Sequence, residues 1–328
     1  MTTTRVLGRS GIEVSAIGMG CWAIGGPFFG GDGEPYGWGE VDDDESVRTV
    51  HQALDLGVTF FDTSSNYGAG HSERVLGRAL AGRRDQVVIA SKWGYTFDES
   101  RRLMLGTDGS VDYLVRCLDG VLDRLGTDYL DLYQLHLGDL PVADALAMVE
   151  TLEDLVAKGR IRAYGWSTDD PARAEAFAKA GTHCAAIQHD MSVLNDNADM
   201  IAVCEAQDLA SLARGPLAMG LLTGKYHGRT TALAADDVRT LSPDWLPWFD
   251  NGVATPEWAD RVDRLRAALT ADGRTLAQGA LGWLMARSPS IVSIPGARTP
   301  AQAMENFATL EKGALPADAM AEIDRLTP

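Results

Sequence analysis

Asp62, Tyr67, Lys92 and His136 each fall at or just past the end of an apolar run that reads as a strand, in chain order, on three successive strands. Their side chains are chemically complementary. A phenol can release a proton, an ammonium beside it stabilises the phenolate, a carboxylate holds the ammonium, and an imidazole orients a substrate oxygen. Hydride delivered to a carbonyl carbon leaves an alkoxide that must be protonated. A free tyrosine, with a pKa near ~10, is a weak acid for that task at neutral pH. A neighbouring cation is expected to lower the value. In this scheme Tyr67 is the general acid in reduction and the general base in oxidation. Asp62 fixes Lys92, and His136 donates a hydrogen bond to the substrate oxygen, in a pocket that works like an oxyanion hole.

Taken singly, each residue has a plainer explanation. An Asp at a strand end is often a turn former, a lone Tyr in a Ser-Asn-Tyr-Gly loop usually packs, and one His can be a satisfied core residue. Lys92 is more telling. It ends the run VVIAS, so apolar that its stem should be enclosed, and a buried lysine needs a partner. Asp62, one strand over, supplies it. The joint placement carries the reading.

The elements that must position these groups alternate along nearly the whole chain. A short hairpin with Gly8 and Gly11 near its turn leads into a first strand at 16–20. A helix follows over 43–56, with Val47, Val50 and Leu54 at helical spacing, acidic residues at its start and Gly57 at its end. Strand 58–61 precedes a helix over 72–80. Strand 87–91 precedes one over 111–125, with Ser110 as N-cap and Gly126 as stop. Strand 130–135 precedes a helix opened by Pro141 and closed by Gly159. Strand 162–166 precedes one from Pro171 to Gly181. Strands 185–188, 209–213 and 291–294 precede helices near 197–207, 275–287 and 300–309. Eight strand–helix units imply a parallel sheet, and in one α/β domain spanning residues 1–328 they fit a single (β/α)8 TIM barrel. Two long loops, 23–42 and 214–256, follow strand ends on the face where such barrels keep their active sites. Trp245, Trp248 and Phe249 mark the second as a lid or pocket wall, and Trp22 and Trp93 add to an aromatic-lined pocket.

The totals narrow the class. There are 29 basic and 46 acidic residues, a net charge of −17, which argues against nucleic acid and anionic membranes as partners. An anionic cofactor needs a local basic pocket. Cys21, Cys117, Cys184 and Cys204 lie far apart without a CxxC pair, so reduced thiols in a cytoplasmic protein are expected. No apolar run reaches membrane-spanning length, and the opening MTTTRVLGRSG does not read as a leader. The six histidines (His51, His71, His136, His183, His189, His227) form no H-x-H or HExxH pattern, so no metal site is expected. Nothing in the chain specifies an oligomeric state.

A hydride must come from a cofactor. Gly18-Met19-Gly20-Cys21-Trp22-Ala23 formally matches G-x-G-x-x-A, but Ile24-Gly25-Gly26-Pro27 cannot open the helix that a Rossmann fingerprint requires. The phosphate signal lies at the other end. IPGARTPAQAMEN (294–306) has a Gly at a strand end, Arg298 two residues on, and then a helix start. Phosphates bind at such places late in a barrel, and Arg298 can grip one bidentately.

The segments FFDTSSNYGAGHSE, VVIASKWG, DLYQLH and IPGAR resemble those of the aldo-keto reductases, and the resemblance extends over essentially the whole chain. It implies a (β/α)8 barrel that reduces aldehydes or ketones with NADPH, in preference to NADH, with Asp62, Tyr67, Lys92 and His136 catalytic. It also implies Gly20, Trp22 and Asp62 at the nicotinamide end and Ser167, Thr168 and Gln188 at its carboxamide. By the same resemblance Gly215, Pro216 and Leu217, with Gly220, Leu222, Gly224 and Lys225, wrap the pyrophosphate. Gly296, Arg298, Gln302, Glu305 and Asn306 take the 2′-phosphate and adenine. The chain departs from the family at Thr168, where an Asn is common, and at Arg214, where many members stack a Tyr or Trp on the nicotinamide. A guanidinium can stack too, or reach a substrate carboxylate. The alternative from another class is a cofactor-binding, redox-sensing regulatory subunit of the same fold with slow turnover. A barrel hydrolase or lyase would instead need paired carboxylates or a metal cluster at the strand ends.

Overall fold

The computed structural model describes residues 3–226, 233–241, 243 and 245–327; His227 and part of the second long loop lie outside them. Eight strands, β1 (Met19–Gly20), β2 (Phe60–Asp62), β3 (Val88–Trp93), β4 (Leu130–Leu135), β5 (Ile161–Ser167), β6 (Cys184–Asp190), β7 (Ala210–Arg214) and β8 (Ile291–Ser293), pair in parallel in that order. The ring closes between β8 and β1. Ile17 bridges Ser293 and Gly20 bridges Gly296, and the Gly18 and Gly20 amides donate to Ser293 O and Pro295 O at 2.8 and 3.0 Å. Close approach at this seam requires glycine: a Cβ on Gly20 would sit 2.7 Å from Ile294 O. The result is the (β/α)8 barrel that the alternation predicts.

Two cores follow from the period-2 alternation of the strands. Residues pointing inward, among them Phe60, Val88, Ala90, Leu132, Ala163, Ala186, Leu212 and Val292, pack with Leu7, Ile12 and Val14 of the N-terminal hairpin (Thr4–Val6 with Glu13–Ser15), which plugs the lower end of the barrel. Residues pointing outward meet the helices in the larger core. Helix starts are capped by side chains, at Ser110 as the sequence suggests. Ser110 accepts from the Tyr113 amide, Asp170 from those of Ala172 and Arg173, and Thr299 from that of Gln302.

Several boundaries differ from expectation. Asp62 and Lys92 lie within their strands rather than beyond them. The helix expected over 141–159 is two, Val142–Leu146 and Val149–Ala157. A hairpin after β3 (Tyr95–Asp98 with Leu103–Thr107) was not anticipated. Nor was the helix Pro256–Leu269, whose apolar stripe of Val262, Leu265, Ala268 and Leu269 is hidden among charged residues. The chain also continues past 309 into the helix Ala317–Leu326.

The two long loops meet over the upper face. Val238 N donates to Gly37 O at 2.8 Å, and Trp38 bridges Asp237. Arg239, buried and paired with Asp237, packs its guanidinium against the rings of Trp38, Tyr226 and Phe249. Trp248 and Phe249 join the core, whereas Trp245 is half-exposed and, with Glu34, Tyr36, Leu241 and Pro243, lines a cleft of ≈ 250 Å³. Trp93 is enclosed against Tyr133 rather than lining a pocket.

Candidate active site

The inward alternation turns polar in its top layer. Asp62, Lys92, Gln134 and Gln188, on β2, β3, β4 and β6, cap the apolar interior and are all fully buried. Each satisfies another. Lys92 Nζ donates to Asp62 Oδ1 at 2.6 Å and to Thr63 O at 2.8 Å. Asp62 Oδ2 accepts from Gln134 Nε2 at 3.1 Å and Gln188 Nε2 at 2.9 Å. Two buried charges are tolerable because both are paired and their remaining sites are filled. Burial works against the Lys92 charge, but Asp62 and Tyr67 more than offset it and hold the ammonium above its ordinary pKa.

The loop after β2 carries Tyr67 over this layer. Gly68 has φ +61° and lies against Gly25, where a Cβ would meet Gly25 O at 1.8 Å, so the loop docks on the segment after β1 only with glycine there. Lys92 Nζ reaches Tyr67 Oη at 3.4 Å. Trp22 stacks on the Tyr67 ring at 5.9 Å between centroids. Burial outweighs the Lys92 cation and holds the phenol above its ordinary pKa. The lowering expected from the sequence is therefore only a partial offset, since taking a phenolate out of water costs more than one ammonium at this distance returns. His136 follows β4, with its ring edge-on to Tyr67 and Tyr95. Burial first, then Lys92 and Arg214, press its pKa well below the ordinary value, so the imidazole is neutral at neutral pH. An acid with its proton, a fixed ammonium and a neutral imidazole thus stand together at the top of the barrel.

A family model described as "Aldo/keto reductase family" matches residues 16–328. The chain belongs to that family. Among its relatives, aldo-keto reductase YhdN of Bacillus subtilis (strain 168) is 31% identical over 297 residues, 89% of this chain and 84% of that one. Among solved structures, the glycerol dehydrogenase AKR11B4 from Gluconobacter oxydans superposes with a TM-score of 0.81 at 27% identity, covering 98% of this chain and 94% of that one. An aldo-keto reductase from Klebsiella pneumoniae, solved in complex with NADPH, gives a TM-score of 0.70 at 27% identity over 100% and 96% of the two chains.

In this aldo-keto reductase the residues assigned by resemblance to the cofactor lie at or near the ends of β1, β2 and β5–β8. Ser167 closes β5 with no protein partner for its hydroxyl among the described residues, whereas Thr168 spends its own on Gly138 O at 2.8 Å. Gln188 directs its amide nitrogen to Asp62, which leaves its oxygen to accept a further bond. Gly215, Gly220 and Gly224 all have positive φ in the turn-rich segment that holds Pro216, Leu217, Leu222 and Lys225. On the far side, Gly296 leaves bare backbone beside β8, and its carbonyl accepts from Asn306 at 3.1 Å. Gln302 accepts from the Arg298 amide at 2.8 Å, and Glu305 follows on the same helix, Pro300–Phe307.

Two of these groups are already engaged. The Arg298 guanidinium donates to Trp38 O at 2.8 Å and Glu40 O at 2.6 Å, holding the first long loop to the barrel. Arg214 pairs with Asp169 and lies 3.7 Å from Asp190 instead of lying free over the cleft. Sequence reasoning missed the Arg214 partners, Gln134, Tyr95, Ser64 and Asn66. For Gln134 a signal existed: it alternates with Leu132 and pairs in register with Lys92.

Proposed function

We propose that this enzyme is an NADPH-dependent reductase of small-molecule aldehydes or ketones, working in the cytoplasm with Tyr67 as the proton donor. The carrying observation is Lys92 Nζ, which touches both the Asp62 carboxylate (2.6 Å) and the Tyr67 phenol (3.4 Å). Lys92 is the hydrogen-bond donor to Tyr67, so the phenol keeps its own proton free to give. As that proton leaves, the ammonium steadies the phenolate, and Asp62 prevents Lys92 from swinging away. His136 and Tyr95 form the opposite wall and orient the substrate.

The chain's own groups fit a nicotinamide dinucleotide. The open hydroxyl of Ser167 and the free oxygen of Gln188 suit a carboxamide. The three positive-φ glycines at 215, 220 and 224 offer close backbone approach, and the N-terminus of Pro300–Phe307 with Arg298 suits a phosphate. When bound, that cofactor supplies the hydride. The Klebsiella pneumoniae structure holds NADPH, which supports the assignment. A titration of the protein with NADPH and NADH, followed by a panel of aldehydes and ketones, tests it. Tight NADPH binding and loss of nicotinamide absorbance on carbonyl addition are expected. Binding of neither nucleotide would refute the reading.

A further inference from the structure

The two long loops close on each other at one point and part beside it. They close at the bridge between Trp38 and Asp237 and at the bond from Val238 N to Gly37 O. Beside that closure they part around the ≈ 250 Å³ cleft lined by Glu34, Tyr36, Leu241, Pro243 and Trp245. Its chemistry is one-sided. Tyr36 and Trp245 bring aromatic rings, Leu241 and Pro243 bring apolar surface, and the Glu34 carboxylate is the one charge among these lining residues. Glu34 Oε2 accepts from Tyr36 Oη at 3.2 Å, and Oε1 has no protein partner among the described residues. Burial first, then Glu34 and Asp32, hold the Tyr36 phenol above its ordinary pKa, so it keeps the proton it gives to that carboxylate. Trp245 stands half-exposed, a large apolar surface with nothing over it.

The face of an aromatic ring is electron-rich and attracts a cation. A carboxylate with no lysine or arginine beside it does the same. The net charge of −17 draws cations toward the protein and turns anions away. The cleft is also one side chain from the reacting centre. Trp22 Nε1 donates to Tyr36 O at 3.0 Å, and the same indole stacks on Tyr67 at 5.9 Å. We propose that this cleft is a subsite for the far end of the substrate and that it takes an ammonium group, held by Glu34 against the rings of Tyr36 and Trp245. The preferred substrates are then aldehydes or ketones that carry a protonated or quaternary amine away from the carbonyl. This rests on the carbonyl reduction proposed above and deepens it by naming the substrate class.

Two readouts on the full-length protein test this. In NADPH-dependent reduction, para-(trimethylammoniomethyl)benzaldehyde should show a KM about fivefold below that of its uncharged isostere, para-neopentylbenzaldehyde, the worth of one cation–π contact and one exposed ion pair. Glu34→Gln and Trp245→Ala should each remove much of that difference, and high salt should shrink it in the wild type. Equal KM values in the wild type would make the cleft an apolar slot and overturn the proposal, as would a difference untouched by both substitutions. The second readout needs no turnover. Saturation-transfer NMR with benzyltrimethylammonium, which has no carbonyl, should show transfer to the N-methyl protons in the wild type and weaker transfer in both variants. No transfer in the wild type, or equal transfer in all three proteins, overturns the subsite. Failure to reduce any carbonyl would remove the proposed function and leave this NMR result readable, so the two ideas fail separately.

Discussion

At the floor of the cleft, Asp62, Lys92, Gln134 and Gln188 hang from strands and satisfy one another out of water. At the rim, Arg214 and Arg298 hang from a strand end and a loop, partly exposed, and bond carboxylates or carbonyls of other segments. The floor has nowhere else to go. Its groups are fixed by barrel register and by the cost of leaving any one of them unpaired. The rim has water as a competitor, so its bonds can be exchanged for a ligand at little cost. A rigid reacting centre and an exchangeable binding surface therefore sit one layer apart.

The comparison is most sharply strained at Tyr67. Tyr67→Phe should lower kcat by about 10²–10⁴-fold, the usual share of a general acid, while NADPH affinity measured by fluorescence stays within twofold (roughly 0.4 kcal/mol). Retained turnover would discard the general-acid role. Next comes the floor pair. Asp62→Asn strands a buried ammonium and should cost about 3–5 kcal/mol in denaturant unfolding, whereas Asp169→Asn at the half-exposed rim should cost under about 1 kcal/mol. Similar losses at both sites would erase the distinction between the two layers.

A third test concerns His189, buried behind the floor with Nε2 2.7 Å from Ser211 Oγ. Burial is the main reason its pKa falls to about 4. The folded protein holds this ring neutral, and the unfolded chain takes up a proton near the ordinary histidine value of about 6.5. Its contribution is therefore complete above about 6.5 and is lost as pH falls toward 4, amounting to roughly 3 kcal/mol. His136, lowered in the same direction, adds to the slope. Unfolding curves across that window should be flatter in His189→Gln; an unchanged slope would contradict a neutral buried ring. The smallest effect is expected at the rim. Arg298→Ala should reduce the NADPH-over-NADH preference about tenfold, near the value of one charge-assisted hydrogen bond. An unchanged preference would refute the phosphate assignment and leave Arg298 as a loop tie.

The same division explains what could be read from the chain. Strand periodicity and helix caps were enough for the barrel, and the barrel puts Asp62 and Lys92 on adjacent inward positions, so the floor was legible. Gln134 was overlooked because a polar residue inside LDLYQL looks like a flaw in an apolar run until its register with Lys92 is known. Arg298 and Arg214 were read as ligand-facing because their types suit phosphates and rings. What the sequence hides is competition: two loop carbonyls and two carboxylates reach those guanidiniums across large sequence separations. The helix at Pro256–Leu269 was hidden differently, by charges that mask a narrow apolar stripe.

Arg298 also stands at one end of a line of contacts. It holds Trp38 O, Trp38 sits edge-on to Trp22 at 5.3 Å, Trp22 donates to Tyr36 O at 3.0 Å, and Trp22 stacks on Tyr67. On the proposed 2′-phosphate role of Arg298, anyone retooling this enzyme to run on NADH would begin by replacing that arginine. The same replacement slackens the wall behind the proton donor, so coenzyme choice and substrate breadth will shift together, and a library built to alter one should be screened for both.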